Sequence, residues 1–326
     1  MKRGILLVAY GSGNMRGTAA LRAVQTAAEA RFGLPVRWAY TSEPMRLRLA
    51  KSRTKSDSVL KALSRMRFER YTHVAVQPLH LIPGDEFAAV AEDCAAAMAE
   101  ADSPFRVSLG LPMLACSGPA ASADCLPEAC GNAPCAIPSR PDPVARTAAT
   151  LISHISPLRS PDEPVIYMAH GSRHSSEHLF RRLAEAVRAL DPLVHVACMI
   201  GPDTPRGVDL DDPAYPDGLS LLMPTLQQEF PASHRIWLLP MLSLVGRHTL
   251  DDMAGASPSS WKNRIEAEGW SCLPELRGLA DDPAFVDLWL DRLSDAIHAL
   301  DTPAPLSSGL PLAAPPDDAP AASEQG

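Results

Sequence analysis

Long apolar runs are missing from this sequence. No stretch approaches the roughly 20 apolar residues that a membrane-spanning helix needs. The first apolar run, residues 5–10, meets Gly11 after six residues, which is shorter than the core of a secretory signal peptide. We therefore expect a cytoplasmic protein that has no membrane partner and whose cysteines are kept reduced.

An excess of basic residues is missing as well. The 30 Lys and Arg residues are outnumbered by 38 Asp and Glu residues, which gives a formal net charge of −8. A general nucleic-acid-binding protein normally presents a basic surface, so no nucleic-acid partner is expected. An anionic ligand must be received by a local group of basic side chains, because the overall field opposes it.

Nucleotide-binding and hydrolase motifs are also absent. The segment GSGN at residues 11–14 follows an apolar run, but it is neither a G-x-G-x-x-G nor a GK[ST] motif, so no nucleotide cofactor is expected. The segment AHGS at residues 169–172 lacks the G-x-S-x-G pattern that exposes a catalytic serine. Ser172 is therefore a poor candidate for a hydrolase nucleophile.

The chain contains an internal repeat of domain size. Residues 5–12 read ILLVAYGS and residues 165–172 read VIYMAHGS, which places Tyr10 opposite His170. The distance along the chain from Tyr10 to Pro78 is 68 residues, and from His170 to Pro240 it is 70. Agreement at both ends of such a gap indicates two copies of one unit, since self-similarity at a fixed period is the mark of a repeated structure.

The repeated unit has the pattern of an α/β lobe. Continuous apolar runs alternate with segments of helical periodicity, which predicts a parallel sheet flanked by helices. We predict an α/β fold of two similar lobes, each with a parallel sheet flanked by helices, whose equivalent strand ends face each other across a cleft. The predicted divisions are an N-terminal lobe at 1–114, a Pro/Cys-rich insertion and linker at 115–162, a C-terminal lobe at 163–300 and a disordered tail at 301–326.

Three polar residues follow predicted strands in the two copies of the repeat. Aligning the two halves pairs Glu86 with His248, and His170 follows the first strand of the second half. Ligands bind outside the carboxyl ends of parallel strands, and two imidazoles with a carboxylate suit Fe, Co, Ni or Zn. Other interpretations stay open, because Glu86 also suits the start of a helix near Phe87 and a histidine after a strand is often a surface residue. His80 can face the same cleft.

The insertion concentrates four cysteines within 20 residues. Their spacing, CX8CX4CX4C, is not a standard zinc or iron–sulfur signature. Two hypotheses remain, an irregular loop with free thiols and, less favoured, an accessory metal or cluster. The cysteines concerned are Cys116, Cys125, Cys130 and Cys135.

Several segments together resemble one known family. QPLHLIPGDEF, MAHGSRH and LPMLSLVGRHTLDDM followed by SWKNRI are similar to the anaerobic-type sirohydrochlorin cobaltochelatases, which are class II chelatases, over residues 3–114 and 163–300. The resemblance implies a chelatase-like fold in which a pseudo-twofold axis relates the two lobes. It further implies a lyase that inserts Co²⁺ into the tetrapyrrole sirohydrochlorin without ATP, in anaerobic cobalamin (vitamin B12) biosynthesis. It also implies that His170 and His248 are catalytic and bind the metal, and that Glu86 completes the metal site.

The resemblance has one departure at the site and leaves the substrate contacts to be inferred. The family often has a further acid at the end of the strand where this chain has Ile200. The substrate carries several carboxylates, and we expect basic and polar side chains near the strand ends to contact it. The candidates are Tyr10, His80, Arg173 and Arg247.

Two alternatives compete with cobalt insertion. The same ligands accept Fe²⁺, so a sirohydrochlorin ferrochelatase that makes sirohaem is the first. The second is a non-catalytic protein that binds a tetrapyrrole or metal in a two-lobed cleft. The sequence leaves open the oligomeric state, a homo-oligomer included.

Overall fold

The computed structural model describes residues 1–51, 56–100, 105–115, 142–206, 214–229 and 235–301. The predicted cysteine cluster, with Cys116, Cys125, Cys130 and Cys135, lies outside the described residues, and so does the predicted tail beyond Asp301. Among the helices of the described part, none is long and apolar enough to cross a membrane.

The first half of the chain forms a parallel sheet. Its strands are β1 (Arg3–Ala9), β2 (Val36–Tyr40), β3 (His73–Pro78) and β4 (Arg106–Leu109), in the order β2-β1-β3-β4. Its helices are α1 (Met15–Phe32), α2 (Glu43–Lys51), α3 (Val59–Phe68) and α4 (Asp85–Ala99). Helix α1 begins where the Asn14 side chain accepts a hydrogen bond from the Gly17 amide. It ends at Gly33, which has a φ of 64° that favours glycine.

The second half repeats this sheet. Its strands are β5 (Val165–Gly171), β6 (Val194–Ile200), β7 (Arg235–Met241) and β8 (Ser271–Pro274), in the order β6-β5-β7-β8. Helix α5 (Pro143–Ile155) lies between the two halves. The helices of the second half are α6 (His178–Leu190), α7 (Gly218–Glu229), α8 (Trp261–Ala267) and α9 (Pro283–Asp301), with short helical turns at Ser175–Glu177, His248–Met253 and Leu279–Asp281. The matching strand orders confirm the predicted pair of similar α/β lobes.

Each sheet is buried on both faces, which explains why its central strands read as unbroken apolar runs. In β1, Ile5 and Leu7 pack on the α1 side, whereas Leu6 and Val8 pack on the α3 and α4 side. All four side chains are fully buried. Burial of each contributes about 1.5–3 kcal/mol. The α1 side belongs to one cluster that continues into the second lobe and includes Tyr167.

The two lobes exchange a helix each. Helix α9, which ends the second half, packs against β3 and β4 of the first sheet. It is tied there by hydrogen bonds from Ser108 Oγ to the Ala296 carbonyl and from Trp289 Nε1 to the His80 carbonyl. Helix α5, which follows the first half, packs on α6 of the second lobe. Helix α9 therefore lies in the predicted C-terminal lobe but packs on the first sheet, and α5 lies in the predicted linker. The divisions at 114 and 163 stay predictions.

Part of the predicted insertion and linker is an ordered helix. Asp142 caps α5 by accepting a hydrogen bond from the Val144 amide, and Pro143 occupies the first turn, where a missing N–H costs nothing. Val144, Leu151 and Ile155 lie on one buried face at helical spacing. The sequence did not predict this helix, because the prolines before residue 143 favour an irregular segment.

Candidate metal-insertion site

The carboxyl ends of the strands in the two sheets face each other. Ser243 Oγ, after β7, donates a hydrogen bond of 2.5 Å to the carbonyl of Leu79, which follows β3. Asn14 Nδ2, after β1, donates one of 2.8 Å to the Val245 carbonyl, also after β7. A Cβ placed on Gly84 would lie 3.8 Å from Ser172 Oγ, which follows β5. The loops after β1 and β3 therefore meet the loops after β7 and β5, as a pseudo-twofold axis requires.

His170 lies at the end of β5. The next residue, Gly171, has a φ of 78°, and a Cβ there would lie 2.0 Å from the Ile200 carbonyl oxygen, so only glycine fits. The Nδ1 of His170 donates a hydrogen bond of 3.1 Å to the Gly171 carbonyl, which leaves Nε2 as the acceptor nitrogen. Desolvation in the cleft lowers the pKa of His170; the Gly171 hydrogen bond opposes this shift and the charge of His248 adds to it. His170 is therefore neutral near pH 7.

His248 begins the π-helical turn His248–Met253, which follows β7. Its Nδ1 lies 2.6 Å from Asp252 Oδ2, one helical turn further along the chain. A carboxylate can only accept, so the imidazole donates from Nδ1 and its Nε2 is left for another partner. Carboxylate–histidine pairs of this kind fix the tautomer and orientation of metal-binding histidines.

The structure brings His170 and His248 together. Their ring centroids are 4.9 Å apart, and the rings are inclined at 65° to each other. Each Nδ1 has its own hydrogen-bond partner, so each ring has Nε2 available as a lone-pair donor. Two imidazole donors on one rim suit a borderline divalent cation and leave most of its coordination positions open.

Glu86 belongs to the opposite lobe and has a different neighbour. It lies in the first turn of α4, its side chain is 53% exposed, and its Oε2 is 3.4 Å from His80 Nε2. Desolvation raises the pKa of the Glu86 carboxyl, and the charge of Asp85 adds to the rise. Within the described residues, no three His, Cys, Asp or Glu side chains form a ready-made metal site. The three predicted ligands thus fall into the His170–His248 pair on the second lobe and Glu86, beside His80, on the first lobe. Their joint binding of a metal stays a prediction.

Comparison with known proteins identifies the family. The family model described as cobalt chelatase (CbiK) matches residues 3–131 and 133–298. The chain belongs to the cobalt chelatase family. A curated relative from Nitratidesulfovibrio vulgaris, sirohydrochlorin cobaltochelatase CbiKC, is 44% identical over 92% of each chain. The sirohydrochlorin cobaltochelatase of Salmonella typhimurium is 26% identical over 74% of this chain and 75% of its own.

Solved structures agree with this chelatase fold. SirB from Bacillus subtilis with Fe³⁺ superposes with a TM-score of 0.56 at 13% identity, covering 93% of this chain and 99% of its own. A sirohydrochlorin chelatase SirB from the same species, in complex with cobalt, gives a TM-score of 0.51 at 13% identity, covering 91% of this chain and 97% of its own. At this identity the likeness supports the two-lobed architecture alone.

The other candidate residues of this chelatase lie around the same cleft but differ in their contacts. Tyr10, after β1, is 53% exposed, so its ring is accessible to a ligand. Arg247 precedes His248 and is 81% exposed, with Asp251 3.9 Å away. Arg173 instead donates from Nε to the Thr204 carbonyl and from Nη2 to the Pro205 carbonyl.

Asp252 is the site residue that the sequence analysis did not select. The signal was present, because a carboxylate four residues after a histidine lies on the same side of a helical turn. The strand-end position of His248 predicts metal binding. The acceptor of its Nδ1–H, Asp252, is identified only by the geometry of the turn. Ile200, at the position where the sequence resemblance led us to expect a further acid, is buried at the end of β6 beside Gly171.

Proposed function

We propose that this protein is a sirohydrochlorin cobaltochelatase, which inserts Co²⁺ into the tetrapyrrole without a nucleotide. The observation that carries the proposal is the His170–His248 pair, with both Nε2 atoms free for a metal and both Nδ1 atoms engaged. Membership of the cobalt chelatase family and the 44% identity to a sirohydrochlorin cobaltochelatase support it.

The metal is captured first on the second lobe. Co²⁺ exchanges water for the Nε2 atoms of His170 and His248, and Asp252 holds the second ring in the binding orientation. Glu86, on the facing lobe, supplies a carboxylate oxygen as a third ligand. Because the donors come from both lobes and leave positions open, the metal is received and then released to the macrocycle.

Insertion must also remove two protons, because two pyrrole N–H groups of the macrocycle become metal-bound nitrogens. A neutral imidazole accepts a proton near neutral pH. His170 suits this task because its lowered pKa keeps it unprotonated before the reaction. When the metal moves to the macrocycle, the vacated Nε2 of His170 accepts a pyrrole proton and passes it to solvent. The same route then removes the second proton.

Carboxylates at the edge of the tetrapyrrole need cationic partners. Arg247 is exposed beside His248 and suits this role. Tyr10 is a further candidate for contact with the macrocycle, whereas the ring nitrogens of His80 are buried and its Nε2 lies beside Glu86. Arg173 binds carbonyls of the loop after β6, so we propose for it a role in shaping the cleft wall next to the substrate.

The test is anaerobic insertion of Co²⁺ into sirohydrochlorin, followed by absorbance with catalytic protein and corrected for the uncatalysed rate. We expect multiple turnovers without ATP. His248→Ala removes the acceleration and keeps the fold, whereas His298→Ala, at the exposed end of α9, leaves it unchanged. Near-normal turnover of His248→Ala would refute the role of this histidine.

The same assay separates the alternatives. Faster insertion of Fe²⁺ than of Co²⁺ would indicate a ferrochelatase. Spectral changes that stop at one equivalent of ligand, without acceleration, would indicate a tetrapyrrole- or metal-binding protein. The cytoplasmic location, the absence of nucleic-acid and membrane partners, and any homo-oligomer stay predictions.

A further inference from the structure

His80 is a buried imidazole that lacks hydrogen-bond partners. Its side chain is 11% exposed, and neither Nδ1 nor Nε2 has a partner among the described residues. An unsatisfied buried polar atom is destabilising, so such groups in native proteins normally have a purpose. An aliphatic side chain at this position would pack without that cost.

The backbone around His80 is fixed by contacts from three directions. The His80 carbonyl accepts hydrogen bonds from the Met113 amide and from Trp289 Nε1 of α9. The preceding residue, Leu79, is bonded to β1 through its amide and to Ser243 of the second lobe through its carbonyl. The imidazole is therefore held at the junction of both lobes and has little freedom to move away.

Glu86 is the polar side chain that His80 approaches. The His80 Nε2 and the Glu86 Oε2 are 3.4 Å apart, slightly beyond a good hydrogen bond. A small rotation of the exposed Glu86 side chain brings the pair to hydrogen-bonding distance. One carboxylate oxygen then accepts from the imidazole, and the other stays free.

The second lobe contains the same kind of pair with the roles reversed. His248 occupies the position equivalent to Glu86 in the repeat, and Asp252 lies 2.6 Å from its Nδ1. In one lobe an imidazole is oriented by a carboxylate, and in the other a carboxylate lies against an imidazole. Each lobe thus contains a predicted metal ligand with a second residue beside it that can orient it.

We propose that His80 is a positioning residue for Glu86: its Nε2–H donates to one oxygen of the Glu86 carboxylate and aims the other at the incoming metal. This inference rests on the proposed function, since it takes Glu86 as a metal ligand. Partners of this type typically change metal affinity or activity by about 10- to 100-fold when they are removed.

A double-mutant cycle tests the inference. Co²⁺ affinity is measured by titration without tetrapyrrole, and insertion kinetics are measured separately, for the wild type, His80→Ala, Glu86→Ala and the double variant. We expect His80→Ala to weaken Co²⁺ binding at least about 10-fold in the wild type. In the Glu86→Ala background the same change should have an effect within about twofold. His80→Gln, which retains an N–H donor, should recover most of the affinity.

A control and two outcomes separate this role from simple packing. His73→Gln changes the histidine that begins β3, the strand that His80 follows, and should leave Co²⁺ affinity unchanged. If His80→Ala weakens Co²⁺ binding equally with and without Glu86, or leaves it unchanged, the inference is overturned while cobalt insertion by the wild type stands. A wild type that neither binds nor inserts Co²⁺ would overturn the proposed function as well.

Discussion

Replacing Asp252 by Asn should reduce the rate of cobalt insertion while keeping His248 in place. The 2.6 Å bond from His248 Nδ1 to Asp252 Oδ2 is charge-assisted, and it fixes which nitrogen faces the metal. An amide can offer its N–H to Nδ1, which stabilises the tautomer with the proton on Nε2, where the metal must bind. Removal of such partners costs about 10- to 100-fold, or ~1.4–2.7 kcal/mol. Because His248 is 40% exposed, we expect the lower end, about 10-fold.

The assay for this change is kcat/KM for Co²⁺ insertion under anaerobic conditions, together with Co²⁺ affinity in the absence of tetrapyrrole. Asp251→Asn is the matched control, because Asp251 is the adjacent acid and its side chain is 69% exposed. We expect the control to stay within about twofold of the wild type. Equal kinetics and equal Co²⁺ affinity for Asp252→Asn and the wild type would refute the argument that this carboxylate orients the metal-binding ring.

Three further predictions concern the stability of the fold, its dependence on pH and the segment after Asp301. Trp289→Ala, at a fully buried site, should lower the free energy of unfolding by about 3–5 kcal/mol in urea titrations, and an unchanged midpoint would contradict the packing of α9. Desolvation and the nearby Arg188 charge lower the pKa of His195 to about 4, so the unfolded chain binds an extra proton below pH 6.5 and stability falls by up to ~3 kcal/mol towards pH 4. His195→Asn should flatten this dependence, and an unchanged slope would disprove the contribution. Truncation after Asp301 should leave insertion kinetics unchanged, whereas a large loss of kcat would show that the segment takes part.

The architecture could be predicted because it is encoded twice. The strand-end segments at 5–12 and 165–172 repeat with nearly the same spacing to Pro78 and Pro240, and the two sheets have matching strand orders. Strand positions were also predictable, since strands covered on both faces need continuous apolar runs. The approach of His170 to His248 was predictable as well, because they follow two strands of one parallel sheet, and the carboxyl ends of such strands lie at the same edge.

The exchange of helices could not be predicted from local patterns. The amphipathic pattern of α9 shows that it buries one face, but not which sheet that face covers. Its packing on β3 and β4 depends on contacts between residues far apart in the chain, such as Ser108 with Ala296. Helix α7 could not be predicted either, because Pro224 lies inside it and proline ordinarily interrupts a helix.

The contacts of charged side chains were the least predictable part of the site. Arg173 and Arg247 both lie beside cleft histidines in the sequence. One binds backbone carbonyls of a neighbouring loop and the other is exposed. The long side chain of an arginine donates hydrogen bonds to any acceptor that the fold places near it. Backbone carbonyls of loops are such acceptors, and their positions cannot be predicted from the sequence. The His80–Glu86 approach depends in the same way on the turn between β3 and α4.

The exchanged helix α9 determines when the first lobe can be completed during synthesis. The four strands of the first sheet leave the ribosome long before residues 283–301 are made. Until then, the surface of β3 and β4 that α9 covers in the folded protein lacks this helix and stays accessible to water or to a chaperone. Domains usually fold as they emerge, N-terminal first. The N-terminal lobe can therefore be completed only after α9 has been made. A nascent chain that stalls after β8 exposes the part of the first sheet that α9 covers in the folded protein.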